Sequence, residues 1–153
     1  MNIKELTAAM QHLSEQLNVV LSKSGYQEYD DLSSVKYDIN NPDDLMLIDM
    51  YRQMFPKLSD VQYAISYLSK PVKYQDRLTL RSDGRYGTVN GTTYYTSGNR
   101  IEFLTFEEVL DSSGQLIDVP AWRISRIEHN GTDYYIVGYP DVDLNGLRVR
   151  IRV

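Results

Sequence analysis

Apolar residues change their spacing at Lys70-Pro71, and that switch limits the possible folds more than any other feature of the chain. Before it they recur every three or four positions; after it they alternate every second position through seven short runs. The first period belongs to helices packed along one face and the second to strands with one buried side. The chain is therefore expected to be α+β. An N-terminal helical arm of two or three helices, residues 1–70, leads into a small antiparallel β-barrel, residues 71–153.

In the arm, Ile3, Leu6, Met10, Leu13, Leu17 and Val20 form a narrow seam, which predicts a helix from about Asn2 to Leu21. A long connection follows over residues 22–39, containing Gly25 and the tyrosines Tyr26, Tyr29 and Tyr37. Asn41 is placed to cap a second helix with Pro42 at its first position and Asp43 and Asp44 at the positive end of the macrodipole. Leu45, Ile48 and Tyr51 give that helix its apolar face. Pro56 is expected to stop it, and Ser59-Asp60 to start a third helix carrying Val61, Ala64, Ile65 and Leu68.

In the second half, turn residues punctuate the alternation at Asp83-Gly84, Ser97-Gly98-Asn99, Asp111-Ser112-Ser113-Gly114, Asn130-Gly131 and Asn145-Gly146. Asn90-Gly91 reads as a type I′ hairpin turn. Short strands at this spacing, without intervening helices, predict a meander of five to seven strands closing into a barrel.

Composition narrows the function. With no cysteine, the chain has no disulfide, thiolate metal site or cysteine nucleophile, which suits a cytoplasmic protein. No apolar run approaches the roughly 20 residues of a membrane span, and the first residues carry no signal-peptide core. The net charge of −5 is concentrated in the arm, where residues 1–70 hold 10 acidic and 6 basic side chains. Long-range repulsion of polyanions disfavours nonspecific nucleic-acid binding.

Several words of the second half, in order, resemble a family of uncharacterised domains with an SH3-like barrel, encoded largely by Gram-positive bacteria, their plasmids and conjugative elements. They are Tyr67-Leu68-Ser69-Lys70-Pro71-Val72, Gly84-Arg85-Tyr86, and Tyr95-Thr96-Ser97-Gly98 leading to Ile101-Glu102. Trp122, Arg126-Ile127-Glu128-His129-Asn130-Gly131, Asp133-Tyr134-Tyr135 and Gly146-Leu147 complete the match over residues 67–153. The resemblance implies an SH3-like form for the barrel and an accessory role in mobile-element biology. It assigns no catalytic residue and says nothing of the arm.

Two surfaces are candidates. Arg148, Arg150 and Arg152 alternate with apolar residues, so one face of the last strand carries three guanidinium groups. With Arg123, Arg126, Tyr134, Tyr135 and Tyr139 nearby, that face would grip an acidic protein or a single nucleic-acid strand. The same arginines equally serve to protect a sheet edge by pairing with Glu128, Asp133 or Asp141. The second surface is acidic: Glu28, Asp30, Asp31, Asp38, Asp43 and Asp44 cluster among tyrosines and can imitate a phosphate track, or simply solvate a loop and a helix start.

No catalytic, metal or cofactor site is read. His12 and His129 have no ligand-forming neighbours at helical spacing, and Glu107-Glu108 point to opposite faces of a strand. Trp122 serves either as an interface anchor or, the reading favoured by the need to fill a small barrel, as a plug in its core. The expectation is a non-enzymatic protein-binding accessory or inhibitory factor of a mobile element, in its sharpest form an antagonist of a nucleic-acid-binding defence enzyme such as a CRISPR nuclease. The alternative is a nucleic-acid-binding module using the arginine strand. The seam on the first helix also permits a homodimer.

Overall fold

The computed structural model describes residues 1–29 and 31–153, so the candidate acid Asp30 lies outside the described residues. The chain forms two compact units, Met1–Pro71 and Val72–Val153.

The first unit has two helices, α1 (Ile3–Ser24) and α2 (Pro42–Ser69). Asn2 caps α1, its Oδ1 accepting from the N–H groups of Lys4 and Glu5 at 3.0 Å each, while the Glu5 carboxylate accepts the Asn2 N–H at 2.9 Å. This reciprocal box satisfies amide donors that the first turn leaves open. The helix runs three residues past its expected end, because Gly25 is the first residue able to adopt the left-handed stop, at φ 67°. Asn41 caps α2 as expected, accepting the Asp43 N–H at 3.0 Å.

The third helix is not formed. Pro56 lies inside α2, which continues without a break to Ser69. Its missing N–H and ring cost about 3 kcal/mol in a helix interior. Keeping Phe55 and Ile65 buried on one continuous face offsets that cost.

The connection between the helices folds onto α2. Leu32 is buried with Ile48 and Phe55, and the Tyr26 ring meets Phe55 at 5.5 Å. Arg52 Nε donates to the Asp31 carbonyl at 2.8 Å. Among the described residues of the connection, two that are not glycine are left-handed, Tyr29 (φ 75°) and Leu32 (φ 66°). Leu32 is held by its buried side chain, whereas Tyr29 is 97% exposed and gains nothing for its strain. Tyr29→Gly is expected to raise the stability of the protein by about 1 kcal/mol, read as a higher thermal midpoint.

The second unit is a nearly closed antiparallel barrel of six strands: β1 (Val72–Leu80), β2 (Tyr86–Thr88), β3 (Arg100–Leu110), β4 (Leu116–His129), β5 (Tyr134–Ile136) and β6 (Arg148–Arg152). Their order is β2-β1-β6-β3-β4-β5, so the last strand closes back between the first and third. Leu78, Tyr86, Tyr95, Ile101, Phe103, Ile127, Ile136, Leu144 and Val149 fill the core. The apolar run around Tyr94 contributes only a bridge to Gly87 and no strand. Asn90-Gly91 does not form a type I′ turn, because only Gly91 has positive φ. Instead Gly91 N–H closes on the Thr88 carbonyl at 2.8 Å, and Asn90 Oδ1 accepts from the Thr88 hydroxyl at 2.7 Å and the Thr92 N–H at 3.2 Å. With the Thr92 hydroxyl at 3.0 Å as a third donor, the Asn90 side chain's local bonding outweighs the usual Asn-Gly preference.

Candidate interaction surface

Strands β3 and β4 are longer than the barrel needs. β6 pairs with β3 at Glu102 and Phe103, and β5 pairs with β4 at residues 127–129. From Leu104 to Leu110 and from Leu116 to Ile124 the two strands have only each other as strand partners, so they form a two-stranded ribbon. Pro120 belongs here: without an N–H it is tolerated in a strand whose outer edge is unpaired, and it denies that edge a donor.

Register decides what the ribbon displays. Leu104 pairs with Trp122, Phe106 with Pro120, and Leu110 with Leu116, so these six side chains share one face with Ile124, Glu102 and the exposed acidic pair Glu108–Asp118, which lies between Phe106 and Leu110. Phe106 and Leu110 are each 69% exposed and Leu116 is 65% exposed. At the tip, Asp111 Oδ1 accepts from the Ser113 hydroxyl at 2.6 Å, the Ser113 N–H at 2.8 Å and the Gln115 N–H at 2.9 Å. The Ser113 hydroxyl and then the Gln115 amide hold this carboxyl below the usual aspartate range, which keeps the turn fastened at neutral pH.

At the barrel end of the same face, Glu102 is 3% exposed and organises the C-terminal strand. Its carboxylate accepts a two-pronged pair from Arg152, Nε at 2.7 Å and Nη2 at 3.0 Å. Arg150 Nη1 lies 3.6 Å from the same carboxylate, and its guanidinium carbon sits 3.9 Å from the centroid of a Trp122 ring. Arg150 Nε is buried without a hydrogen-bond partner, its guanidinium held over the indole by the attraction of a cation to a ring face.

This arrangement revises the basic stripe. Arg150 and Arg152 converge on a buried acid between them, Glu102, and of the three arginines in β6 only Arg148 is exposed. Arg123 lies on the opposite face of β4 from Arg126, because an odd separation in a regular strand reverses direction. It pairs with Glu107 at 2.8 Å, and Arg126 pairs with Glu128 at 3.1 Å. Tyr134 packs against the core with its ring on His129, and Tyr139 meets Phe103 edge-on at 5.0 Å. Tyr135 stands opposite Glu128 in the β4–β5 pair. The tyrosines therefore do not flank the C-terminal arginines as a set. Trp122, expected in the core, is instead half-buried on the outer face beneath Arg150.

The acidic group is also divided. Asp38 and Asp44 are engaged at the start of α2: Asp44 Oδ2 accepts the Asp38 N–H and Asp38 Oδ1 accepts the Asn40 N–H, each at 2.9 Å. Glu28, Asp31 and Asp43 are exposed.

Among the described residues no group of three histidine or acidic side chains is placed to hold a metal, and no helix is long and apolar enough to cross a membrane. His129 Nδ1 accepts the Gly131 N–H at 3.1 Å, a turn contact. Two phenols are perturbed for structural reasons. Burial, then the charges of Asp133 and Asp143, raise Tyr86. Burial also raises Tyr74, but hydrogen bonding with Thr92, Thr93, Thr88 and Asn90 outweighs it and brings the group below the usual tyrosine value. Tyr74 Oη lies 2.7 Å from Thr92 Oγ1 and 2.6 Å from Thr93 Oγ1, so it fastens the loop after β2 to the barrel.

Sequence reasoning passed over Glu102 and the ribbon. A signal for each was present: a charge between the core residues Ile101 and Phe103, and apolar alternation carried past the length of a small barrel strand. No curated protein and no solved structure matches the chain at a significant level. Residues 76–151, nearly the whole of the barrel unit, match the model of a family described as a domain of unknown function (DUF5348), and it is to this family that the barrel is similar.

Proposed function

We propose that the protein is a non-enzymatic protein-binding factor that engages its partner through the outer face of the β3–β4 ribbon. The observation that carries this reading is the exposure of Phe106, Leu110 and Leu116 on one face of a ribbon whose edges are unpaired by other strands. Apolar side chains set among charges are the ordinary composition of a protein interface, here with the acidic pair Glu108–Asp118 between Phe106 and Leu110, and Trp and Arg side chains are its common anchors. The partner segment that fits is apolar with a basic group where it meets Glu108 and Asp118 and an acidic group at the end that meets Arg148 and the Arg150–Trp122 pair. Addition of an extended strand at the β3 edge would let main-chain bonds contribute as well.

The consumption of Arg150 and Arg152 by Glu102 supports this reading over a phosphate-binding stripe. An accessory or inhibitory role for a mobile element follows the sequence resemblance. The narrower role, antagonism of a nucleic-acid-binding defence enzyme such as a CRISPR nuclease, rests on the exposed acids Glu28, Asp31 and Asp43.

The test is a nuclease-treated pull-down with the full chain and with a Phe106→Ser, Leu116→Ser variant, whose substitutions lie on exposed positions and leave the barrel core intact. The variant is expected to lose the captured protein at least tenfold. Equal capture by both proteins, or binding to a fluorescent single strand that falls steeply with salt, would overturn the reading.

A further inference from the structure

The helical unit carries a second apolar stripe that its own fold leaves only half covered. Ile48, Phe55 and Ile65 of α2 are buried, with Leu58 half-buried beside them. One position away around the helix run Leu47, Met54, Val61 and Leu68 at strict seven-residue spacing, 41 to 57% exposed. On α1, Leu6, Leu13 and Val20 repeat every seven residues at 41 to 45% exposure. The helices are antiparallel: Ile3 and Leu6 share a groove of about 230 Å³ with Ile65 and Leu68, and Val20 lies with Tyr51 and Phe55 at the other end. Both stripes are thus half covered along their whole length.

A sustained seven-residue repeat selects its occupant, because it matches only another helix with the same period, packed side chain into hole in a left-handed bundle. We infer that the stripes on α1 and α2 form a homodimer interface in which the helical hairpins of two copies pack as a four-helix bundle. Three properties of the chain favour a second copy over a foreign helix. The hairpin itself supplies two adjacent helices with that repeat, which is what two adjacent stripes require. Helices of 22 and 28 residues are about 33 and 42 Å long and each about 10 Å wide, so the shared face covers roughly 700 Å², close to the roughly 800 Å² each partner buries in a stable complex. Three residues after Leu13 and Met54, beside the stripes, stand Gln16 on α1 and Lys57 on α2, polar and near the middle of each, where one polar group in an apolar seam fixes register and subunit number.

The dimer would present two β3–β4 ribbons, so a partner with two sites would bind with higher avidity than a single barrel allows. The interface residues belong to the helical unit and the ribbon to the barrel unit.

Sedimentation equilibrium on the full chain tests it. The expected mass is twice 17.7 kDa at micromolar concentration. Leu13→Asp with Met54→Asp, both on half-exposed positions, should give a folded monomer with an unchanged helical circular dichroism signal and at least a hundredfold weaker association. Lys57→Leu removes the register-fixing charge and should tighten association or raise the subunit number. The Phe106→Ser, Leu116→Ser variant should remain a dimer. A monomer at all concentrations up to the millimolar range would overturn the inference. So would a dimer that the aspartates leave intact or that the ribbon variant abolishes.

Discussion

Glu102→Ala is expected to destabilise the barrel by about 3 kcal/mol, the cost of leaving buried cationic groups without their counter-charge. The carboxylate is 3% exposed and binds Arg152, itself 13% exposed, through two charge-assisted hydrogen bonds. Arg150 lies on the other side of it, pinned to Trp122. Removing the acid leaves two guanidinium groups side by side in a place with little water. Replacing all three, as Glu102→Leu with Arg150→Met and Arg152→Leu, removes the unpaired charge together with the pair and should return stability to within about 1 kcal/mol of the parent. Urea unfolding followed by Trp122 emission measures both, since Trp122 is the only tryptophan and stacks on the cluster. A small loss for the single variant would mean that the arginines swing to solvent. A large loss for the triple would mean that the cluster does more than neutralise itself.

Phe103→Ala is expected to cost more, about 4 kcal/mol, through lost transfer energy and the cavity left behind. Phe103 is fully buried, pairs with Val149 in β6 and with Arg123 in β4, and meets the Tyr139 ring edge-on. It therefore sits where the closing strand joins the long hairpin, and shrinking it loosens both. Phe103→Leu retains most of the volume and should lose less than half as much. Urea midpoints at unchanged slope would give the two values. Similar losses for Ala and Leu would show that the aromatic geometry, rather than the buried volume, is what the site requires.

The two substitutions also show what was legible in the chain. The change of period at Lys70-Pro71 was enough to separate a helical unit from a β-unit, because burial of one face forces a helix and a strand into different repeats. Local chemistry was equally readable where it is local. Asn2, Asn41 and Gly25 act at helix ends, and glycines at positions 84, 98, 114, 131 and 146 take the positive φ that their turns need. Two local rules failed when longer-range packing opposed them. Pro56 did not end α2, because Phe55 and Ile65 are buried on either side of it. Asn90-Gly91 did not adopt the mirror-image turn, because the Asn90 side chain took the donors around it.

The candidate surface was legible only in its parts. Alternation alone placed Arg148, Arg150 and Arg152 on one face of a strand. It could not say that β6 would lie beside β3, and that pairing sets Glu102 opposite Arg150 and turns a basic stripe into a neutralised cluster. Neither could it say where the barrel stops along β3 and β4, which is what leaves Phe106, Leu110 and Leu116 on exposed ribbon. Sequence by itself determined the period, the caps and the turns, because those depend on residues within a few positions of one another. Tertiary structure alone decided which charges meet and which apolar faces stay open, because both depend on strands and helices brought together from distant parts of the chain.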